Sequence, residues 1–313
     1  MVAYVSGHHR VLRRALILGG ACVAALAIVY LLAVWTAPGQ RFEDAVLRAA
    51  DQVAGGAEQT HALHTLDAIT GPSVVAAMIL VLIIGALRHR IFLGLLSVGT
   101  IIASIATTEA IQHFGRRPIL LDYGYRREDQ SFPSGHTAVA MSLMCALIMV
   151  VPYRFRGSVV FLTAVWAGSV SVATVTASWH RPSDTIGAGL IVVGYACAAV
   201  AVLARWGRVR EAALRTPVGR VLRGSFTGSA VLAFMVAAAV TGVALVAFHR
   251  GHTGAAVLLA GRSLAVSVSA AAAVTMLALL RHVDLGARAV DPAEEGSPDV
   301  EPRHAGVYRP SGS

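Results

Sequence analysis

The chain has no lysine: all 26 of its Lys and Arg positions are arginine. Any permanent cation in a site is therefore a planar guanidinium with fixed donor geometry, not a compact ammonium. Charge is sparse altogether, at 14% against 56% hydrophobic residues and a mean hydropathy of +0.67. That balance excludes an ordinary water-soluble domain and calls for lipid as the solvent. Cysteine is confined to Cys22, Cys145 and Cys197, each inside an apolar run, so neither a disulfide framework nor a thiolate metal site fits and all three read as packing residues. The formal charge of +9 does not imply nucleic acid, because the arginines punctuate apolar runs instead of clustering on one soluble face. No ionisable residue occupies the middle of a spanning run and no broken helix repeats, which argues against a channel or secondary transporter.

What the chain does have is length in its apolar stretches. Runs of about 20 residues, enough to cross a bilayer at 1.5 Å per residue, fall near 14–36, 72–88, 91–110, 134–152, 158–179, 184–204, 227–248 and 255–280. The predicted fold class is all-α, a polytopic transmembrane helix bundle. The first run follows Arg10, Arg13 and Arg14 and exceeds a signal-peptide core, so it reads as an uncleaved anchor.

Positive residues stay on the cytoplasmic side of short loops. With both termini cytoplasmic, Arg88 and Arg90, Arg154 and Arg156, Arg205 through Arg223, and Arg281 and Arg288 all obey this rule. Arg116, Arg117, Arg126 and Arg127 break it, and four arginines on the outer side are accounted for by a bound anion or by contact with lipid headgroups. Within 37–71, Phe42, Val46, Ala49 and Val53 recur at helical spacing with Arg41, Glu43, Asp44 and Arg48 between them, predicting a helix lying on the outer surface. Asp291–Ser313 is too polar and too rich in Pro, Gly and Ser to order itself.

On this topology Arg117-Pro118, Pro133-Ser134-Gly135-His136 and His180-Arg181-Pro182-Ser183-Asp184 all reach the outer face. Ser134 and Gly135 open a helix, where unpaired N–H groups favour an anion. Arg117 offers a bidentate fork to phosphoryl oxygens. His180 can attack phosphorus as a neutral imidazole, His136 can protonate a leaving oxygen, and Asp184, four residues on and on the same helical face, can hold the His180 tautomer. The bland alternative is a satisfied polar network pinning helices together.

These segments resemble the three motifs of the type 2 phosphatidic acid phosphatase superfamily, over roughly residues 14–204. The resemblance implies a six-helix core; the two C-terminal transmembrane helices, 227–248 and 255–280, lie beyond it. It also implies a phosphohistidine nucleophile at His180, a leaving-group acid at His136, an orienting carboxylate at Asp184, and phosphate binding by Arg117, Ser134 and Gly135. The chain then divides into a cytoplasmic N-terminus (1–13), the core (14–204), a basic cytoplasmic linker (205–226), two added helices (227–280) and a disordered cytoplasmic tail (281–313).

Two positions depart from the family pattern: its first Lys falls on Ala110 and its third-motif Ser-Arg on Ala173 and Thr174. Arg116, Arg126, Arg127 and Arg181 are candidate substitutes, with the loop arginines favoured because Arg181 would be rotated about 100° from His180 on a helix. Gln112 and Thr174 are candidate neutral donors. The expectation is metal-independent hydrolysis or transfer of a phosphate group on a membrane lipid, polyprenyl or glycerolipid, at the outer face of the bacterial inner membrane. No cofactor and no metal is expected, the partners are the lipid substrate and the bilayer, and oligomeric state is open. A non-catalytic phospholipid headgroup receptor is the competing reading.

Overall fold

The computed structural model describes residues 2–121, 130–212, scattered positions between 224 and 248, and 254–286. Nine helices carry the described fold: α1 (Val2–Val29), α2 (Ala37–Gln52), α3 (Ala57–Asp67), α4 (Gly71–Leu87), α5 (Ile91–Phe114), α6 (Gly135–Val150), α7 (Arg156–Thr176), α8 (Pro182–Arg205) and α9 (Ala255–Leu279). Five segments are long and apolar enough to cross a membrane: His8–Val34, Ile91–Phe114, Tyr153–Thr176, Pro182–Arg205 and Ala255–Leu279. A sixth exists if α3 and α4, bent by 57° at their junction, count as one span. The protein is thus an all-α polytopic bundle.

Several boundaries differ from those read in the sequence. The first helix begins at Val2, and Val11 and Ala15 are buried within the bundle, so the N-terminal segment is part of α1. The proposed span at 227–248 rests largely on positions outside the described residues. Residues 281–286 are not a disordered tail: β2 (Val283–Leu285) pairs antiparallel with β1 (Val209–Glu211) of the basic linker.

Helix α6 forms the centre and explains why it can be short. Eleven of its sixteen residues are buried, among them Ala138, Met141, Met144, Cys145 and Met149, against α5, α7 and α8. In lipid the association of such helices depends on close van der Waals packing, because apolar burial alone gives no advantage over acyl chains. Three buried hydroxyls in this core are satisfied within their own helices: Ser104 donates to Thr100 O (2.7 Å), Ser171 to Ala167 O (2.8 Å) and Thr174 to Ser171 O (2.8 Å).

The bundle has two chemically distinct ends, separated by the roughly 36 Å length of α5. At one end Arg88 and Arg90 clamp Asp284, and buried Arg156 donates to the carbonyls of Ile148 and Val283. The other end gathers the first residues of α6 and α8, the last of α5 and the whole of α2. There α1 ends in a π-turn (Tyr30–Val34), Thr36 caps α2 by accepting Gly39 N–H (3.1 Å), and any side chain at Gly39 would collide with the Leu32 carbonyl. Only glycine permits this sharp reversal.

Reversal brings α2 across the bundle end, not onto its outer surface. Val46, Ala49 and Ala50 pack with Val175, Val257, Leu258 and Ala265, and Gly261 of α9 touches Val46 where a Cβ would approach Cγ1 to 2.5 Å. Helix α9 therefore packs into the core through α7, α8 and α2. The apolar stripe at Phe42, Val46 and Ala49 faces protein, and the polar residues between are partly turned inward too.

Candidate active site

Local backbone chemistry sets up each polar segment. Residues 177–181 turn the chain between α7 and α8, with the Trp179 and His180 N–H groups both donating to Thr174 O (3.0 and 3.2 Å). Arg181 is extended (φ −82°, ψ 158°) and Pro182 opens α8. Asp184 occupies the third helical position and reaches back to accept the Arg181 backbone N–H at 2.9 Å. His180 thus lies outside the helix. Its closeness to Asp184 comes from this capping turn and not from a shared helical face.

His180 Nδ1 lies 3.3 Å from Asp184 Oδ2 and 3.2 Å from the backbone carbonyl of Ser131. The carbonyl can only accept, so Nδ1 carries the proton and Nε2 keeps its lone pair. Asp184 is fully buried, and its Oδ2 also accepts from Ser131 Oγ at 2.6 Å. Ser131 in turn accepts from Arg181 Nη1 at 3.0 Å. A continuous relay runs from Arg181 through Ser131 and Asp184 to His180. The opposite oxygen, Asp184 Oδ1, is buried without a hydrogen-bond partner.

His136, second residue of α6, stacks near Trp179 with ring centroids 5.5 Å apart, and the two imidazoles are close enough for charge on one to bear on the other. Ser134 caps α6: its hydroxyl accepts Thr137 N–H and its own N–H donates to the Asp184 carbonyl at 2.9 Å. This fully buried serine is a clasp between α6 and α8; its backbone N–H is used, and its hydroxyl, which accepts from Thr137, keeps its own hydrogen to donate. The N–H groups of Gly135 and His136 remain, since the first turn of a helix has no internal acceptor for them. Nothing stands within 4 Å of the Cβ position of Gly135, so space is open in front of it.

Arg117 reaches the same end. Its Nη2 pairs with Glu43 Oε2 of α2 at 2.5 Å, with side-chain exposures of only 7% and 3%. Burial lifts the Glu43 carboxyl to about 6, with Arg117 opposing that rise and Asp184 adding to it. Next to it Asp44 lies 3.9 Å from Arg181 Nη2. Gln40 fixes the approach of this segment by donating to Pro118 O (2.7 Å) and accepting Leu120 N–H (3.3 Å).

Of the candidate substitute cations, Arg181 is the one among the described residues that enters the cluster, at 2% exposure. The rotation argument fails because Arg181 is not helical. Arg116 is exposed, with only its backbone bound to the Tyr30 hydroxyl. Arg126 and Arg127 lie outside the described residues. Of the two neutral donors, the Thr174 hydroxyl is spent on Ser171 O, and Gln112 Nε2 gives one of its two N–H groups to Pro133 O (2.5 Å). Among the described residues no group of three or more His, Cys, Asp or Glu side chains is arranged to hold a metal ion.

Ser131, Glu43 and Asp44 carry no weight in the sequence reading, because nothing in their spacing marks them. Ser131 sits two residues before Pro133, and the carboxylates look like the solvated face of a surface helix. Beside the cluster, a groove of about 830 Å³ runs between α1, α5 and α8, lined by Leu26, Tyr30, Ala110, Ile111, Phe114 and Phe132 among others. Ala110, the position of the missing lysine, is part of this apolar wall.

Residues 93–210 match the family model of the PAP2 superfamily. This is the type 2 phosphatidic acid phosphatase resemblance, and the matched segment contains His136, His180, Asp184 and Arg117. It supports phosphatase-type activity on phosphate esters. No curated protein and no solved structure matches the chain.

Proposed function

We infer that the chain, with its PAP2 superfamily segment at 93–210, hydrolyses or transfers a phosphate group on a membrane lipid through a phosphohistidine on His180. The observation that carries this reading is the contact of His180 Nδ1 with the Ser131 carbonyl and the Asp184 carboxylate. With Nδ1–H committed to Ser131 O and Asp184, Nε2 is the nitrogen that attacks, and Asp184 stabilises the imidazolium formed as the P–N bond is made. His136 gives its proton to the departing oxygen and, as a base, later takes one from the acceptor water or alcohol that cleaves the P–N bond. Arg117 and the Gly135 and His136 N–H groups stabilise the equatorial oxygens. No step calls for a metal or cofactor.

Lipid as the carrier is supported by the apolar groove that borders Phe132, since an acyl or prenyl chain lying there would bring its headgroup to the polar end of the bundle. Sidedness follows from the arginine clamp of Arg88, Arg90 and Arg156 at the far end. The positive-inside preference supports a cytoplasmic placement of that end and an outward-facing site. The bilayer on this reading is the bacterial inner membrane.

One observation favours a second reading, a headgroup receptor without turnover: Arg117 is already engaged by Glu43 and the family cations at Ala110 and Thr174 are missing. Turnover of a panel of lipid monophosphates, diphosphates and phosphodiesters by purified protein, read as release of phosphate, or of the phosphorylated headgroup alcohol from the phosphodiesters, with His180→Ala as control, separates the two. The enzyme reading expects release that His180→Ala abolishes. A receptor binds the same lipids and releases nothing.

A further inference from the structure

Two guanidiniums, Arg117 and Arg181, share the site with three carboxylates, Glu43, Asp44 and Asp184. Asp184 belongs to the His180 relay. Glu43 and Asp44 have no place in that relay, and they bring negative charge to where a phosphate must bind. The Glu43–Arg117 pair is almost wholly out of solvent; Arg117 Nη1 is buried without a hydrogen-bond partner, and the Ser183 hydroxyl stands beside the Glu43 carboxylate. Asp44 faces Arg181, whose Nη1 donates to Ser131. Arg117, the arginine that the proposed function assigns to phosphate, is thus already paired.

A phosphate monoester that takes Arg117 leaves Glu43 as a buried carboxylate close to Asp184, with only Arg181, already shared with Asp44 and Asp184, as a nearby cation. That is a poor exchange. A headgroup carrying both a phosphate and a cation makes the exchange even: its phosphate replaces Glu43 at Arg117, and its ammonium replaces Arg117 at Glu43. Every buried charge keeps a partner. We propose that Glu43 is a specificity-determining residue that selects zwitterionic aminoalkyl phosphodiester headgroups over phosphate monoesters and over anionic phosphodiesters.

This inference rests on the lipid-phosphate reading and narrows its substrate. Loss of the family cations at Ala110 and Thr174 agrees with it, because a phosphodiester carries one negative charge where a monoester approaches two. Selection then comes from the penalty on the wrong headgroup as much as from attraction to the right one.

The test is binding of three dihexanoyl lipids to the purified full-length protein by titration calorimetry at pH 7.5: phosphatidylethanolamine, phosphatidylglycerol and phosphatidic acid. Wild type is expected to bind the ethanolamine ester about tenfold more tightly than either other lipid. Glu43→Gln is expected to weaken the ethanolamine ester by about tenfold and to strengthen phosphatidic acid. A wild type that prefers phosphatidic acid or phosphatidylglycerol overturns the proposal, as does a preference that survives Glu43→Gln. The wild-type ranking decides by itself if that variant does not fold. If none of the three lipids binds folded wild type, the lipid-phosphate reading falls and this proposal with it; if they bind in another order, only selection by Glu43 falls.

Discussion

Arg117 Nη2 and Glu43 Oε2 stand 2.5 Å apart at the buried end of the bundle, joining a helix that the sequence places on the surface to the arginine that the motif assigns to phosphate. One contact therefore sets the register of α2, the orientation of Arg117 and the charge that any substrate meets. Removing one member of such a pair strands the other, at a typical cost of about 3–5 kcal/mol.

The acidity of Glu43 gives the first prediction. Its folded pKa of about 6 lies above the ordinary 4.5, so the folded protein favours the protonated form. The associated stability is present below pH 4.5 and is lost as pH rises through 6, amounting to about 2 kcal/mol. Thermal midpoints taken from pH 4.5 to 7 should fall by that component in wild type and not in Glu43→Gln. The ratio of ethanolamine-ester to glycerol-ester affinity should likewise shrink as pH drops below 6. Taking the ratio removes the titration of His180 and His136, which acts on both lipids alike, and Arg117, Arg181, Asp44 and Asp184 are the other charges near Glu43.

A second prediction separates the arginines. Arg117→Gln should lower phosphate release by about 10²–10³-fold, the usual cost of one oxyanion donor. Arg116→Gln, at an exposed position, should change it less than about threefold. Arg181→Gln should reduce turnover more than apparent lipid affinity, because Arg181 acts through Ser131 and Asp184. Steady-state kcat and KM for the four proteins check this.

Asp184→Asn should reduce kcat by about 10³–10⁴-fold while leaving lipid affinity nearly unchanged, since the amide no longer fixes Nδ1–H on His180. It also weakens the cap of α8, for about 1 kcal/mol of stability. A circular-dichroism melt beside the kinetic assay distinguishes the two effects.

The reacting residues were legible because they are polar punctuation in an apolar chain: Arg117, His136, His180 and Asp184 sit at helix ends that hydropathy locates. Bundle architecture followed from the same runs, although α6 is shorter than a full span because protein surrounds it. What the sequence hid depends on tertiary approach. Glu43 and Asp44 have the spacing of a solvated face and become buried only because Gly39 and the π-turn fold α2 over the bundle end. The Ser131 relay requires the turn at 177–181, and the β1–β2 pairing joins segments more than seventy residues apart, beyond the reach of any local pattern.

Gly261→Ala gives a fourth prediction. Its new Cβ would press on Val46 Cγ1 and push α2 outward, with an overpacking cost of about 1–3 kcal/mol and a loosened Glu43–Arg117 pair. Activity and thermal midpoint should both fall, and Val46→Ala in the same chain should restore them by making room. Failure of that rescue would show that α2 does not transmit the change.

The central claim is that His180 becomes covalently phosphorylated, and alkaline-quenched trapping with lipid labelled at phosphorus tests it most directly. The account predicts rapid, acid-labile and base-stable label on His180, absent from His180→Ala and sharply reduced in Asp184→Asn. Steady phosphate release from wild type with no label on His180, or label that persists in His180→Ala, would contradict it.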